Sequence, residues 1–92
     1  MKKTVRIFVS GTVQGIFYRK FVKESADSLD IKGFVRNLED GRVEVYATGD
    51  SDKIDKLIEL CKKGNQFSQI KSLDVKEVKP QEFKEFQILH FM

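Results

Sequence analysis

The sequence predicts a single α+β domain spanning residues 1–92: a four-stranded, mostly antiparallel sheet carries two helices on one face, with a short extra strand at the C-terminus. Three observations predict it. Two segments place apolar residues at helical spacing. Four longer runs alternate apolar and polar residues, as half-buried strands do. Read along the chain, these segments follow the order β-α-β-β-α-β, and 92 residues suffice for one modest core.

The first strand is residues 4–10, with Val5, Ile7 and Val9 on one face. Gly11 and Gly15 break it. Over residues 17–29 the period becomes helical, and Phe21, Val22, Ser25, Ala26 and Leu29 share a face. Residues 31–38 form the second strand. Glu39-Asp40-Gly41 is a tight turn, because Asp-Gly tolerates the positive φ that hairpins require. Val43, Val45 and Ala47 alternate along the third strand. Asp50 or Ser51 is expected to cap the second helix, with Asp52 at the positive end of its dipole. Its buried stripe is Ile54, Leu57, Ile58 and Cys61. Lys62-Lys63-Gly64 ends it, with cations at the negative end and glycine just beyond. Residues 70–79 form the fourth strand, with Leu73 and Val75 expected to point inward. Pro80 interrupts, and Phe86-Gln87-Ile88 is a short final strand. Phe8, Phe34, Phe67, Phe83, Phe86 and Phe91 are expected to serve as core or edge packing.

Right-handed crossovers turn this order into a ferredoxin-like βαββαβ sandwich. Strands one and two are then parallel with strand three between them. Their C-terminal ends share one edge of the sheet, so the loop after Ser10 and the residues around Asn37 should meet in space.

Composition excludes several kinds of chemistry. Cys61 is the only cysteine and His90 the only histidine, so neither an intrachain disulfide nor a His/Cys metal cluster can form. Cys61 reads as a small core residue and His90 as an exposed one. No stretch approaches the roughly 20 apolar residues of a membrane span, and no leader is visible, so a cytoplasmic address is expected. The net charge of +3 favours an anionic substrate but is too mild to demand nucleic acid. The expectation is a monomer with no cofactor, no metal, no nucleic-acid partner and no membrane partner. Thirteen lysines stand against four arginines, Arg6, Arg19, Arg36 and Arg42, so each arginine is worth testing for a role that lysine cannot fill.

Gly11-Thr12-Val13-Gln14-Gly15-Ile16-Phe17-Tyr18-Arg19 joins the first strand to the first helix. A glycine-containing loop at a helix N-terminus can turn its N–H groups inward and bind an anion. Arg19 in the first helical turn opposes the dipole, unless an anion sits between its guanidinium and the loop. A plain glycine turn followed by a solvated arginine fits the loop equally well. Asn37, taken alone, reads more readily as a turn-favouring residue before the hairpin. Beside Arg19 its carboxamide could orient a water at the anion.

The two clusters together resemble a known family. Gly11 and then Val13-Gln14-Gly15, followed by a hydrophobic stretch ending in Arg19, is similar to the first signature of the acylphosphatases. Gly33-Phe34-Val35-Arg36-Asn37, then Gly41, Val43 and Gly49, resembles their second signature. Tyr18 departs from it, standing where the family usually has Phe or Met, and its hydroxyl is expected to perturb the loop slightly. The resemblance implies hydrolysis of the carboxyl-phosphate bond of small acyl phosphates, without a metal. By motif position, residues Gln14, Gly15, Ile16, Phe17, Tyr18 and Arg19 bind the substrate phosphate. Arg19 and Asn37 are catalytic, Asn37 by positioning the attacking water. Inorganic phosphate should then be a competitive inhibitor.

Two other readings stay open here. Lys32-Gly33-Phe34 echoes the start of an RNA-recognition motif, and an anion-sensing module would need no turnover. Related domains also occur within larger hydrogenase-maturation carbamoyltransferases, whereas a chain ending at Met92 is expected to stand alone.

Overall fold

The computed structural model describes residues 1–90. Its elements are β1 (Lys2–Thr12), α1 (Ile16–Ser28), β2 (Lys32–Asn37), β3 (Val43–Asp50), α2 (Ser51–Lys63), β4 (Gln69–Val78) and β5 (Phe86–Leu89). They form one five-stranded sheet in the order β4-β1-β3-β2-β5. The extra strand is therefore a full sheet member: β5 runs parallel to β2, with Val35 opposite Ile88 and Arg36 opposite Leu89. The remaining pairings are antiparallel.

One face of the sheet carries the core. Val5, Ile7 and Val9 of β1, Val35 of β2, and Val43, Val45 and Ala47 of β3 are buried against Val22 and Ala26 of α1 and Ile54, Leu57 and Cys61 of α2. The period of two on the strands and of about 3.6 on the helices meets in this layer. Among the described residues, no helix is long and apolar enough to cross a membrane.

On the opposite face, Glu44 is buried and held by Arg6 and by Arg36 Nε at 2.6 Å. A carboxylate so removed from water needs such partners to offset its lost hydration. Because β4 and β5 lie at opposite edges of the sheet, the segment 79–85 must cross this face to join them. Gln81 secures the crossing: its N–H donates to Thr4 Oγ1 at 3.2 Å, and its carbonyl accepts from Thr48 Oγ1 at 2.9 Å. Phe83 lies edge-on against Phe34 and Tyr46.

Val75 and Leu73 face inward as expected, opposite Ile7 and Val9, but Val75 stays exposed because β4 is an edge strand with little to cover it, whereas Leu73 packs against the core. Three expectations are corrected. Neither Asp50 nor Ser51 caps α2 with its side chain. The pairing of Lys2 with Asp50 instead brings in the carbonyl of Met1, which accepts from Ser51 N at 2.7 Å and Ser51 Oγ at 2.9 Å. Phe67 is 58% exposed rather than packed. β1 runs on past Ser10 to Thr12 through an irregularity in its pairing with β4. Phe91 lies outside the described residues.

Candidate active site

Gly11 and Gly15 do different work. Gly11 belongs to the extended β1, where φ is 137° and a Cβ would stand 2.1 Å from the Gln69 carbonyl oxygen. It permits close approach to β4 and is not part of the curl of the loop. Gly15 is the N-cap of α1, with φ 102° and ample room around it, so conformation alone requires glycine there. Between them Val13 is buried and pins the loop to the core. Gln14 turns the other way: its Nε2 donates to the carbonyls of Gly41 at 2.9 Å and Arg42 at 3.1 Å. The loop is thereby tied to the β2–β3 hairpin. That turn is held in its own right by Leu38 N–H to the Arg42 carbonyl at 2.8 Å. Asp40 also accepts from Arg42 N–H, and this bond, with the Arg42 guanidinium, holds the Asp40 carboxyl below its usual pKa.

The start of α1 is rich in unused donors. The N–H groups of Gly15, Ile16, Phe17 and Tyr18 occupy the N-cap and first three helical positions, where no intrahelical carbonyl is available. No side chain caps this end, and its first turn holds no acidic residue. Arg19 follows and is 9% exposed. Its Nε donates to the Gly15 carbonyl at 3.2 Å, and its Nη1 lies 3.4 Å from the Leu89 carbonyl and 3.4 Å from His90 Nδ1. The guanidinium is thus folded back over the loop and steadied by the end of β5. Arg6 and Arg36 share Glu44, and Arg42 pairs with Asp40. Among the described residues no carboxylate pairs with Arg19. A buried cation at the positive end of a helix, with no counter-charge, is a site short of an anion.

Asn37 ends β2. By strand alternation it shares the helix-covered face with Val35. Its Oδ1 is buried and, among the described residues, has no hydrogen-bond partner. An unmet buried acceptor is costly unless something fills it. The register links it to Arg19: Arg36 stands opposite Leu89, whose carbonyl meets the Arg19 guanidinium, and Asn37 is the next residue. The expected meeting of the loop with the end of β2 occurs at this corner.

The six loop residues contribute unequally. Ile16 and Phe17 are 40% and 59% exposed, and Gln14 serves as a tether. Tyr18 corrects the expectation placed on it. Its side chain enters the core, away from the loop, and its hydroxyl donates to the Cys61 carbonyl at 2.9 Å. That carbonyl lies in the last turn of α2, where intrahelical donors run out. Burial raises the Tyr18 phenol well above its ordinary pKa. Cys61 is fully buried, and burial pushes its thiol up to about 12, so no thiolate is available for attack near neutrality. Among the described residues, no group of three His, Cys, Asp or Glu side chains is arranged to hold a metal.

Sequence reasoning missed two contributors. His90, exposed as expected, stands beside Arg19, and the Leu89 carbonyl steadies the guanidinium. The only signal for either was the weak extended run at residues 86–89. A cleft of about 440 Å³ lies at the far end of the sheet, around Lys3, Thr48 and Gln81, and does not include these residues.

The family model described as Acylphosphatase matches residues 5–88. An acylphosphatase of Methylococcus capsulatus is 42% identical over 88 residues, covering 95% of this chain and 96% of the relative. The crystal structure of acylphosphatase from Bacillus subtilis superposes with a TM-score of 0.90 at 37% identity, covering 97% of this chain and 99% of that one. The structure of an acylphosphatase from Coxiella burnetii gives a TM-score of 0.91 at 31% identity, covering 96% and 93%. With the family model spanning both signature clusters and the fold shared end to end, the chain belongs to the acylphosphatase family.

Proposed function

We infer that this protein hydrolyses the carboxyl-phosphate bond of small acyl phosphates, giving a carboxylate and inorganic phosphate. Membership of the acylphosphatase family supports the reaction. The observation that supports the site is Arg19, buried at an uncapped helix start with no carboxylate partner among the described residues. In this reading the N–H groups of residues 15–18 and the Arg19 guanidinium hold the phosphoryl oxygens. Fixed donors of this kind stabilise charge without reorganising during the reaction. Asn37 Oδ1 accepts a hydrogen from a water and turns a lone pair of that water toward phosphorus. The new O–P bond forms as the P–O bond to the acyl group breaks, and the carboxylate leaves with the electron pair. The proton released by the water passes to a phosphate oxygen. An acyl phosphate already carries a good leaving group, so positioning and electrostatics suffice.

The nucleic-acid reading finds less support. Phe34 and Tyr46 occupy the open face of the sheet but are packed there against Phe83, so this face offers bases no free Phe34–Tyr46 platform. An anion sensor without turnover would leave Asn37 Oδ1 without a task.

Phosphate titrated against acetyl phosphate turnover tests the site. Competitive inhibition is expected, with amide shifts concentrated at residues 15–19 in NMR spectra. Purely non-competitive inhibition, with the loop amides unmoved, would refute the assignment.

A further inference from the structure

Three large apolar side chains stand in water beside the anion cradle: Ile16 at 40% exposure, Phe17 at 59% and Phe67 at 58%. Among the described residues the other exposed large hydrophobics, Met1 and Val75, lie on β1's N-terminal flank and on β4. Phe17 and Phe67 are not independent strays. Their rings stack with centroids 4.7 Å apart and planes 29° from parallel. Asn65 holds the two segments together: its Nδ2 donates to the Phe17 carbonyl at 3.2 Å, and its Oδ1 accepts from Phe67 N–H at 3.3 Å. The turn after α2 is thus clamped to the first turn of α1, and the ring pair is a built platform. Scattered exposed apolar residues need no explanation, but a fixed aromatic pair beside a site does.

Resting on the hydrolase reading above, we propose that Phe17 and Phe67, flanked by Ile16, form the subsite for the acyl group, so that the protein is selective for acyl phosphates bearing a flat apolar group, such as an aromatic ring. Two geometric facts carry this. Phe17 is the second residue of α1, its N–H belongs to the donor set, and a helical side chain leans back toward the N-terminus, where the anion sits. The second fact is direction. In a phosphoryl displacement the attacking and leaving oxygens lie roughly in line across phosphorus. Asn37 approaches from β2, and Arg19 with the end of β5 closes the same side. Phe67 precedes β4, at the other edge of the sheet. A leaving group opposite a water on Asn37 therefore points toward the Phe17–Phe67 pair. Stacking on it strengthens binding without touching the phosphate contacts.

The test compares kcat/KM for benzoyl phosphate and acetyl phosphate in the parent and in Phe67→Ala, Phe67→Leu and Phe67→Tyr. Phe67 is exposed and outside the core, so these variants should fold, which circular dichroism checks. The parent should prefer benzoyl phosphate; Phe67→Ala should lower that preference by about tenfold, largely through KM. Phe67→Leu should retain part of the preference and Phe67→Tyr nearly all of it. An unchanged ratio in Phe67→Ala, or equal losses on both substrates, would overturn the subsite. Binding of benzylphosphonate and methylphosphonate, read by calorimetry, separates this proposal from the hydrolase reading. If the parent turned over neither acyl phosphate, that reading would fail. The subsite would still stand on a parent preference for benzylphosphonate that Phe67→Ala abolishes, and would fall if the two phosphonates bound equally.

Discussion

At the scale of single residues, the proposed site rests on two groups unmet among the described residues, the Arg19 guanidinium without a carboxylate and Asn37 Oδ1 without a donor. Their proposed roles differ, so their variants should differ. Arg19→Lys keeps the charge but loses the planar fork, and both phosphate affinity and turnover should fall. Asn37→Ala should cut kcat by about 10²- to 10³-fold, as loss of an oriented catalytic hydrogen bond does, while the inhibition constant for phosphate stays near that of the parent. Steady-state kinetics with phosphate as inhibitor reads both quantities. Near-parent turnover in folded Asn37→Ala would contradict the division, as would a loss of phosphate affinity matching that of Arg19→Lys. Both residues were visible in the sequence for unequal reasons. Arg19 stood out because a cation in a first helical turn opposes the dipole. Asn37 looked like a turn residue until the topology set it near Arg19. Tyr18 was misjudged because the direction of a side chain depends on helix packing: the distance to Cys61 across two helices is not written in the local sequence.

At the scale of elements, the loop is useful because it is anchored on both flanks. Gln14 ties it to the hairpin, and Arg19 ties the helix start to β5. Gln14→Ala removes the first anchor while leaving every backbone donor in place. Phosphate affinity should weaken by about three- to tenfold, in line with one or two net hydrogen bonds, with little change in melting temperature because Gln14 is exposed. Inhibition constants and thermal scans of the two proteins check this; an unaltered inhibition constant would mean that the loop holds its shape without the tether. Periodicity located all seven elements, including the stop of α2 at Gly64, whose N–H donates to the Leu60 carbonyl at 2.9 Å. It could not locate features set by contact between distant segments. The Met1 carbonyl at the start of α2, the continuation of β1 through Gly11, and the crossing of Gln81 over Thr4 and Thr48 all depend on strand neighbours. The exposure of Val75 is hidden for the same reason, since alternation gives its face but does not reveal that its strand lies at an edge.

At the scale of the whole molecule, the two helices are joined through a buried pair that should make the protein sensitive to alkali. Burial pushes the Cys61 thiol up to about 12 from its ordinary 9.0, and burial raises the Tyr18 phenol as well. Above the ordinary values of 9.0 for the thiol and 10.0 for the phenol, the unfolded chain releases these protons while the folded one keeps them. Their contribution is thus fully present below pH 9 and declines as pH rises toward the folded values, by at most about 1.4 kcal/mol per pH unit for each group. Urea unfolding between pH 8 and 11 should show the decline, and Tyr18→Phe should make it shallower; a flat profile would contradict it. The sheet order and strand directions bring the C-terminal ends of β1, β2 and β5 to one end of the sheet, where the proposed anion site lies. The central claim is that a water set by Asn37 attacks the phosphorus of an acyl phosphate held by Arg19 and the helix start, with no metal. Turnover of acetyl phosphate in ¹⁸O-labelled water, with a chelator present throughout, tests it most directly. The account predicts sustained turnover with the label in the inorganic phosphate; label in the acetate, or activity lost to the chelator and restored by Mg²⁺, would contradict it.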